Sequence, residues 1–119
     1  MKVVVADDSR FMRKIIRKTL EKIGVEVVAE ASNGREAIEC VEKYRPNLVI
    51  LDINMPEMDG LEALKHIASS GVKPKVIVLT AVNQQWAKEE AKSLGVVGFV
   101  PKPFKPQQLI EVVKNAVGG

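Results

Sequence analysis

Apolar residues fall along this chain in two alternating rhythms. Short β-branched runs recur at VVVA (3–6), EVVAEA (26–31), LVIL (48–51), KVIVL (75–79) and VGFV (97–100), each with the length and composition of a strand. After each run, apolar residues return every third or fourth position, the period of a helix with one buried face. Over 10–23 this spacing places Met12, Ile16, Thr19, Leu20 and Ile23 on one arc and Arg10, Arg13, Lys14, Arg17 and Lys18 on the other. The inward sets expected next are Ala37, Ile38, Val41 and Tyr44 over 35–44, Leu61, Leu64 and Ala68 over 61–68, and Leu109, Val112, Val113 and Val117 over 106–117. The fourth helix has the thinnest stripe, Ala87, Ala91 and Leu94, and is expected to be among the less stable elements. Gly24, Gly71, Gly95 and Gly118 follow closely on helices, where C-terminal stops occur.

Strand and helix thus alternate five times, without a linker, internal repeat or low-complexity segment. Such alternation predicts an α/β fold, a parallel sheet with helices on both faces. LVIL and KVIVL, apolar throughout, suit central strands. The common order for such units is 2-1-3-4-5, the flavodoxin-like doubly wound (βα)5 sheet, in which strands one and three are neighbours at the switch point. Ligands bind there, beyond the carboxyl ends of the strands. A length of 119 residues, 1–119, fits a single domain.

That topology gives meaning to acids that end apolar runs. Asp7 and Asp8 follow the first strand and Asp52 closes the third, so the carboxylates would share one crevice. Two unit charges about 4 Å apart repel by roughly 4 kcal/mol at an effective dielectric of 20, a cost that calls for a cation. Mg²⁺ fits best, because it takes one or two carboxylates, waters and a phosphate oxygen; no His or Cys accompanies the acids, which argues against zinc. Thr80 and Lys102 end the fourth and fifth strands on the same side. A lysine offsets charge on a transferring phosphoryl group and a hydroxyl donates to one of its oxygens. Asp52 is then the expected nucleophile, forming an acyl phosphate.

The pair Asp7-Asp8, the Asp52 of LDINMPEMDG, the Thr80 of LTA and the Lys102-Pro103 of KPF occur in order at the strand ends. On these residues the chain resembles, over essentially its whole length, the receiver domains of two-component response regulators. FMRK and MPEMDGLEAL are similar to the chemotaxis (CheY-like) type. The resemblance implies that Asp52 accepts a phosphoryl group from a histidine kinase (CheA-like). Asp7, Asp8, Asp52 and the backbone carbonyl of Asn54 would hold Mg²⁺, and Thr80 and Lys102 would contact the phosphoryl oxygens. The Lys102-Pro103 bond is commonly cis in such domains. Phe99 stands where the family's switch aromatic, more often Tyr, is found; Thr80 and Phe99 would form the switch. The output is expected at the helix 4, strand 5 and helix 5 face, toward a protein target such as a flagellar motor switch protein, with a phosphatase as a further partner.

Charge and composition bound the alternatives. A formal net charge of +3, from 18 Lys and Arg against 15 Asp and Glu, is too mild to argue for nucleic acid. Cys40 is the only cysteine, and no run of 18 apolar residues or signal-type segment appears, so the expectation is a cytoplasmic monomer with no membrane partner. A Mg²⁺-dependent aspartyl phosphohydrolase commonly carries a second acid two residues after its nucleophile, where this chain has Asn54, and a cap domain for which 119 residues leave no room. An FMN binder would replace ADDSR with Ser, Thr and Gly, and a receiver used only as a scaffold would not need the full acid, threonine and lysine set. The chain ends soon after the fifth helix, which suggests a stand-alone regulator; the alternative is a receiver cut from a chemotaxis methylesterase or transcription factor.

Taken singly, the same residues have plainer readings. Asp7-Asp8 before Ser9 reads as a helix cap, Asp52 as a turn starter, Thr80 as structural and Lys102 as a solvated charge; the combination favours the site. His66 faces away from its helix's stripe and is expected to be exposed. Cys40 reads as a small core filler, and the basic stripe of the first helix as a solvated or kinase-docking face. Trp86 projects about 100° from the stripe of its helix and reads either as folded over its own loop or, with Phe99, as part of a partner surface.

Overall fold

The computed structural model describes residues 1–55, 60–81 and 85–118, with the side chains of Ala81, Gln85 and Trp86 outside that description. Strands β1 (Lys2–Ala6), β2 (Glu26–Ala31), β3 (Leu48–Asp52), β4 (Lys75–Ala81) and β5 (Gly98–Lys102) alternate with helices α1 (Arg10–Lys22), α2 (Gly34–Tyr44), α3 (Gly60–Ala68), α4 (Gln85–Ser93) and α5 (Pro106–Gly118). All sheet pairings are parallel and the order is β2-β1-β3-β4-β5. The expected flavodoxin-like arrangement is therefore the one observed.

Alternation along each strand divides the core in two. Val3, Val5, Leu48, Ile50, Ile77 and Leu79 face α1 and α5, meeting Ile16, Leu20, Leu109 and Val113. Val4, Val49, Leu51, Val76 and Val78 face the other way, toward Ala37 and Val41 of α2, Leu64 and Ile67 of α3, and Ala87 and Ala91 of α4. Every residue of β3 is buried, so this strand has no solvent face and Asp52 enters an apolar frame. Burying each large aliphatic side chain stabilises the sheet by about 1.5–3 kcal/mol.

Local signals fix the helix ends. Ser9 Oγ accepts the Met12 N–H at 3.1 Å and starts α1; Asn33 Oδ1 does the same for Glu36 at 2.9 Å in α2. Gly24, at φ 77°, takes the left-handed position after α1. The Gly24 and Val25 N–H groups then bond back to Glu21 and Leu20, and Gly95 repeats the motif after α4.

Four expectations need correction. Tyr44 and Val117 are 37% and 38% exposed, because each lies in the last turn of its helix, where no sheet remains to cover it. The buried stripe of α3 is Ala63, Leu64 and Ile67, with Leu61 and Ala68 only half-buried. Gly118 belongs to α5, and Gly71 lies three residues beyond α3 without the left-handed φ of Gly24 or Gly95. Arg13 and Arg17 are half-buried rather than solvated, drawn across to β2 by Glu30. His66 is exposed, and Cys40 is half-buried, its Sγ 4.0 Å from the Glu30 carbonyl oxygen.

Candidate functional site

The site lies where β1 and β3 end. The register pairs Ala6 with Leu51, so Asp7 and Asp52 leave the sheet at one level on neighbouring strands. On β4, Leu79 pairs with Asp52 and Thr80 follows. On β5, Lys102 pairs with Ala81, which leads its long side chain back over the strand ends. The Lys102–Pro103 peptide bond is cis.

Asp7 is completely buried and Asp52 is 3% exposed, whereas Asp8 faces solvent. One ammonium joins the two buried acids: Lys102 Nζ lies 2.7 Å from Asp7 Oδ2 and 3.0 Å from Asp52 Oδ2. Backbone N–H groups take the remaining carboxylate oxygens, Ser9 to Asp7 Oδ1 and Asn54 to Asp52 Oδ1, both at 2.9 Å. Neither Asp7 nor Asp8 caps α1, since Ser9 performs that role.

The charges shift one another. Burial pushes the Asp52 carboxyl above the ordinary value and the Asp7 charge adds to this; the Asn54 N–H and Lys102 oppose it without prevailing. For Lys102, burial alone would lower the pKa, but hydrogen bonds and charge from Asp7 and Asp52 outweigh it and raise the value. A carboxylate that resists ionisation beside a lysine that holds its proton is a site short of positive charge.

The residues present fit a hard dication. Asp7, Asp8 and Asp52 can each offer an oxygen with all three within 4.8 Å of one another. The donors are oxygens alone, the set that Mg²⁺ selects.

The remaining predicted residues surround this centre. Thr80 is 6% exposed at the end of β4. It shares a sheet face with Val78, whose β5 partner is Phe99, so Thr80 and Phe99 lie on one face, offset by two residues. Phe99 is half-buried against the α2–α4 side of the core, and the Lys88 ammonium lies 5.2 Å from its ring centroid. The Trp86 side chain is outside the described residues.

Two residues missed by the sequence reading support the site. Arg13 Nη1 donates to the Asp7 carbonyl oxygen at 2.7 Å; the overlooked signal is its position three and seven residues before Ile16 and Leu20, on the border of the buried stripe. Gly60 packs onto the β3 end, where its N–H donates to the Ile53 carbonyl. A Cβ there would overlap the Asp52 carbonyl oxygen and Ile53 Cα. A glycine opening a helix eight residues after a candidate acid was the available clue.

With this geometry in place, comparison with known proteins is decisive for the class. The chain belongs to the response regulator receiver domain family, whose model matches residues 3–114. It is similar to the chemotaxis protein CheY of Thermotoga maritima, 40% identical over 114 residues covering 96% of this chain and 95% of that protein. It is also similar to the protein-glutamate methylesterase/protein-glutamine glutaminase of Archaeoglobus fulgidus, 48% identical over 105 residues, 87% of this chain but 30% of the enzyme. Among solved structures, the chemotaxis protein CheY4 of Vibrio cholerae matches with a TM-score of 0.89 and 33% identity over 98% of both chains. Receiver domains are phosphorylation-dependent signalling switches that bind Mg²⁺. Among the described residues, no helix is long and apolar enough to cross a membrane.

Proposed function

We propose that this chain, as a single receiver domain over 1–119, accepts a phosphoryl group from a histidine kinase on Asp52 and passes the signal on through protein contacts in the cytoplasm. The observation that carries this is the Lys102 ammonium held between the Asp7 and Asp52 carboxylates, with the Asp8 carboxylate close by. Asp7, Asp8, Asp52 and the Asn54 backbone carbonyl would hold Mg²⁺, which would neutralise charge on the incoming phosphoryl oxygens. An Asp52 carboxylate oxygen attacks the phosphorus of a phosphohistidine. The new O–P bond forms as the P–N bond breaks, and its electron pair returns to the kinase imidazole. Lys102 exchanges a carboxylate partner for a phosphoryl oxygen, and the Thr80 hydroxyl donates to another.

Thr80 and Phe99 share a sheet face, so a displacement of Thr80 toward the phosphoryl group opens space into which Phe99 turns. That biases the α4, β5 and α5 surface between two states. The full-length match to chemotaxis proteins supports a chemotaxis role with a CheA-like kinase and a flagellar motor switch protein as target. The match to one segment of a methylesterase supports a second reading, the receiver of a larger regulator. The switch is tested with acetyl phosphate and Mg²⁺, followed by intact mass: the chain gains one phosphoryl group and Asp52→Asn gains none. A gain that persists in the variant overturns the assignment. Pull-down with a motor switch protein, against a methylesterase catalytic domain, separates the two contexts.

A further inference from the structure

Arg13 lies on α1, outside the acidic cluster, yet it is the residue that fixes the peptide joining Asp7 to Asp8. Its guanidinium forks. Nη1 donates to the Asp7 carbonyl oxygen at 2.7 Å, while Nε donates to Glu30 Oε1 on β2 at 3.0 Å. The Arg13 side chain is only 14% exposed, so the fork is packed in place. Every other polar group of Asp7 is also held: its N–H by the Ala31 carbonyl at 3.0 Å, Oδ1 by Ser9 and Oδ2 by Lys102. Asp8 differs. It is exposed, and among the described residues none hydrogen-bonds its carboxylate, so its backbone is the part of Asp8 that the fold holds. The carbonyl that Arg13 grips is the other half of the Asp8 peptide plane.

We propose that Arg13 is a positioning residue for cation binding: anchored by Glu30, it holds the Asp7–Asp8 peptide so that Asp8 presents its carboxylate to the ion. This rests on the Mg²⁺ reading given above. Outer groups that orient ligands are commonly worth 10–100-fold in metal affinity.

Arg17 supplies an internal control. It bonds the same glutamate, Nε to Glu30 Oε2 at 2.7 Å, and among the described residues its remaining polar partners are the Val27 carbonyl and Glu21, so it bonds neither Asp7 nor Asp8. Charge provides a second check. By Coulomb's law, deleting a cation near three carboxylates tightens dication binding; a loss of affinity therefore has the sign of lost orientation.

The test is calorimetric titration of Mg²⁺ into unphosphorylated wild type, Arg13→Ala, Arg13→Lys and Arg17→Ala, with a thermal melt of each. The expected result is about a tenfold loss of Mg²⁺ affinity in Arg13→Ala and unchanged affinity in Arg17→Ala, although both melt lower. Arg13→Lys, which keeps the charge but lacks the planar fork, folds and recovers only part of the affinity, and it reports if Arg13→Ala does not fold. Wild-type affinity in Arg13→Ala or in Arg13→Lys, or equal losses in Arg13→Ala and Arg17→Ala, overturns the inference alone. A wild type that takes up no Mg²⁺ overturns the Mg²⁺ reading and the inference with it.

Discussion

Lys102 and Asp52, fifty positions apart in the chain, meet at 3.0 Å across the ends of β5 and β3, and the same ammonium reaches Asp7 at 2.7 Å. The fold has placed two buried acids side by side and given them one resident cation. Lys102→Met leaves both without it. The expected cost is about 2 kcal/mol, below the roughly 3–5 kcal/mol of a fully buried pair, because the lysine side chain keeps 26% of its surface exposed. Mg²⁺ at 100 times its Kd is expected to return about 2.7 kcal/mol. Chemical denaturation with and without Mg²⁺ checks both numbers. The variant's phosphorylation by acetyl phosphate is expected to fall by roughly 100-fold, the scale for losing one donor to a developing oxyanion.

Asp52→Asn moves stability in the opposite direction. Burial raises the Asp52 pKa, so the folded state binds its proton more readily than the unfolded chain does. Stability from this group is gained as pH falls through the folded pKa and is lost above it. At neutral pH without Mg²⁺, the amide removes that penalty while its oxygen still accepts a hydrogen bond. The expected gain is on the order of 1 kcal/mol, or roughly 4 °C in Tm. A lower Tm for the variant at pH 7 contradicts the account of Asp52 as a strained charge.

The strands were legible because β-branched runs leave little else for the chain to do there, and Asp52 stood out as the acid that closes a run apolar throughout. Helix faces were less so. Tyr44 and Val117 obey the helical period yet emerge from the core, since periodicity carries no information about where the sheet ends. Helical spacing sets Arg13 among the outward cations, whereas its long stem lies along the protein and delivers the guanidinium to Glu30 and Asp7. Gly60 was hidden because its importance lies in an atom it lacks. The acid, threonine and lysine positions could be placed at strand ends, but their mutual distances depend on a strand order that a sequence does not state.

Gly60 gives a sharp contrast with Gly71. An alanine Cβ at 60 collides with backbone atoms of Asp52 and Ile53, which cannot swing aside as a flexible side chain does. Gly60→Ala is expected to cost about 3 kcal/mol or more and to loosen the Asp52 end of β3. Gly71 has open space around its missing Cβ and no left-handed φ. Gly71→Ala is therefore expected to be neutral or stabilising by up to about 1 kcal/mol, through a less free unfolded chain. Urea titration of both variants checks the pair; similar losses refute the packing argument.

Glu30 sets the acid limit of the α1–β2 junction. Burial alone would raise its pKa, but hydrogen bonds and charge from Arg17 and Arg13 together hold it below the ordinary 4.5. For a carboxylate lowered in the folded state, the stabilisation is fully present above the unfolded value. It drains away as pH falls from about 4.5 through the lower folded pKa. Glu30→Gln removes that titration. Its stability at pH 7 should be lower than wild type, and the gap should close on acidification, most steeply below pH 4.5. Because the pair is partly solvated, salt should shrink the difference at neutral pH. Parallel stability profiles for wild type and Glu30→Gln through that window would show that the two arginines do not draw this carboxylate into the fold.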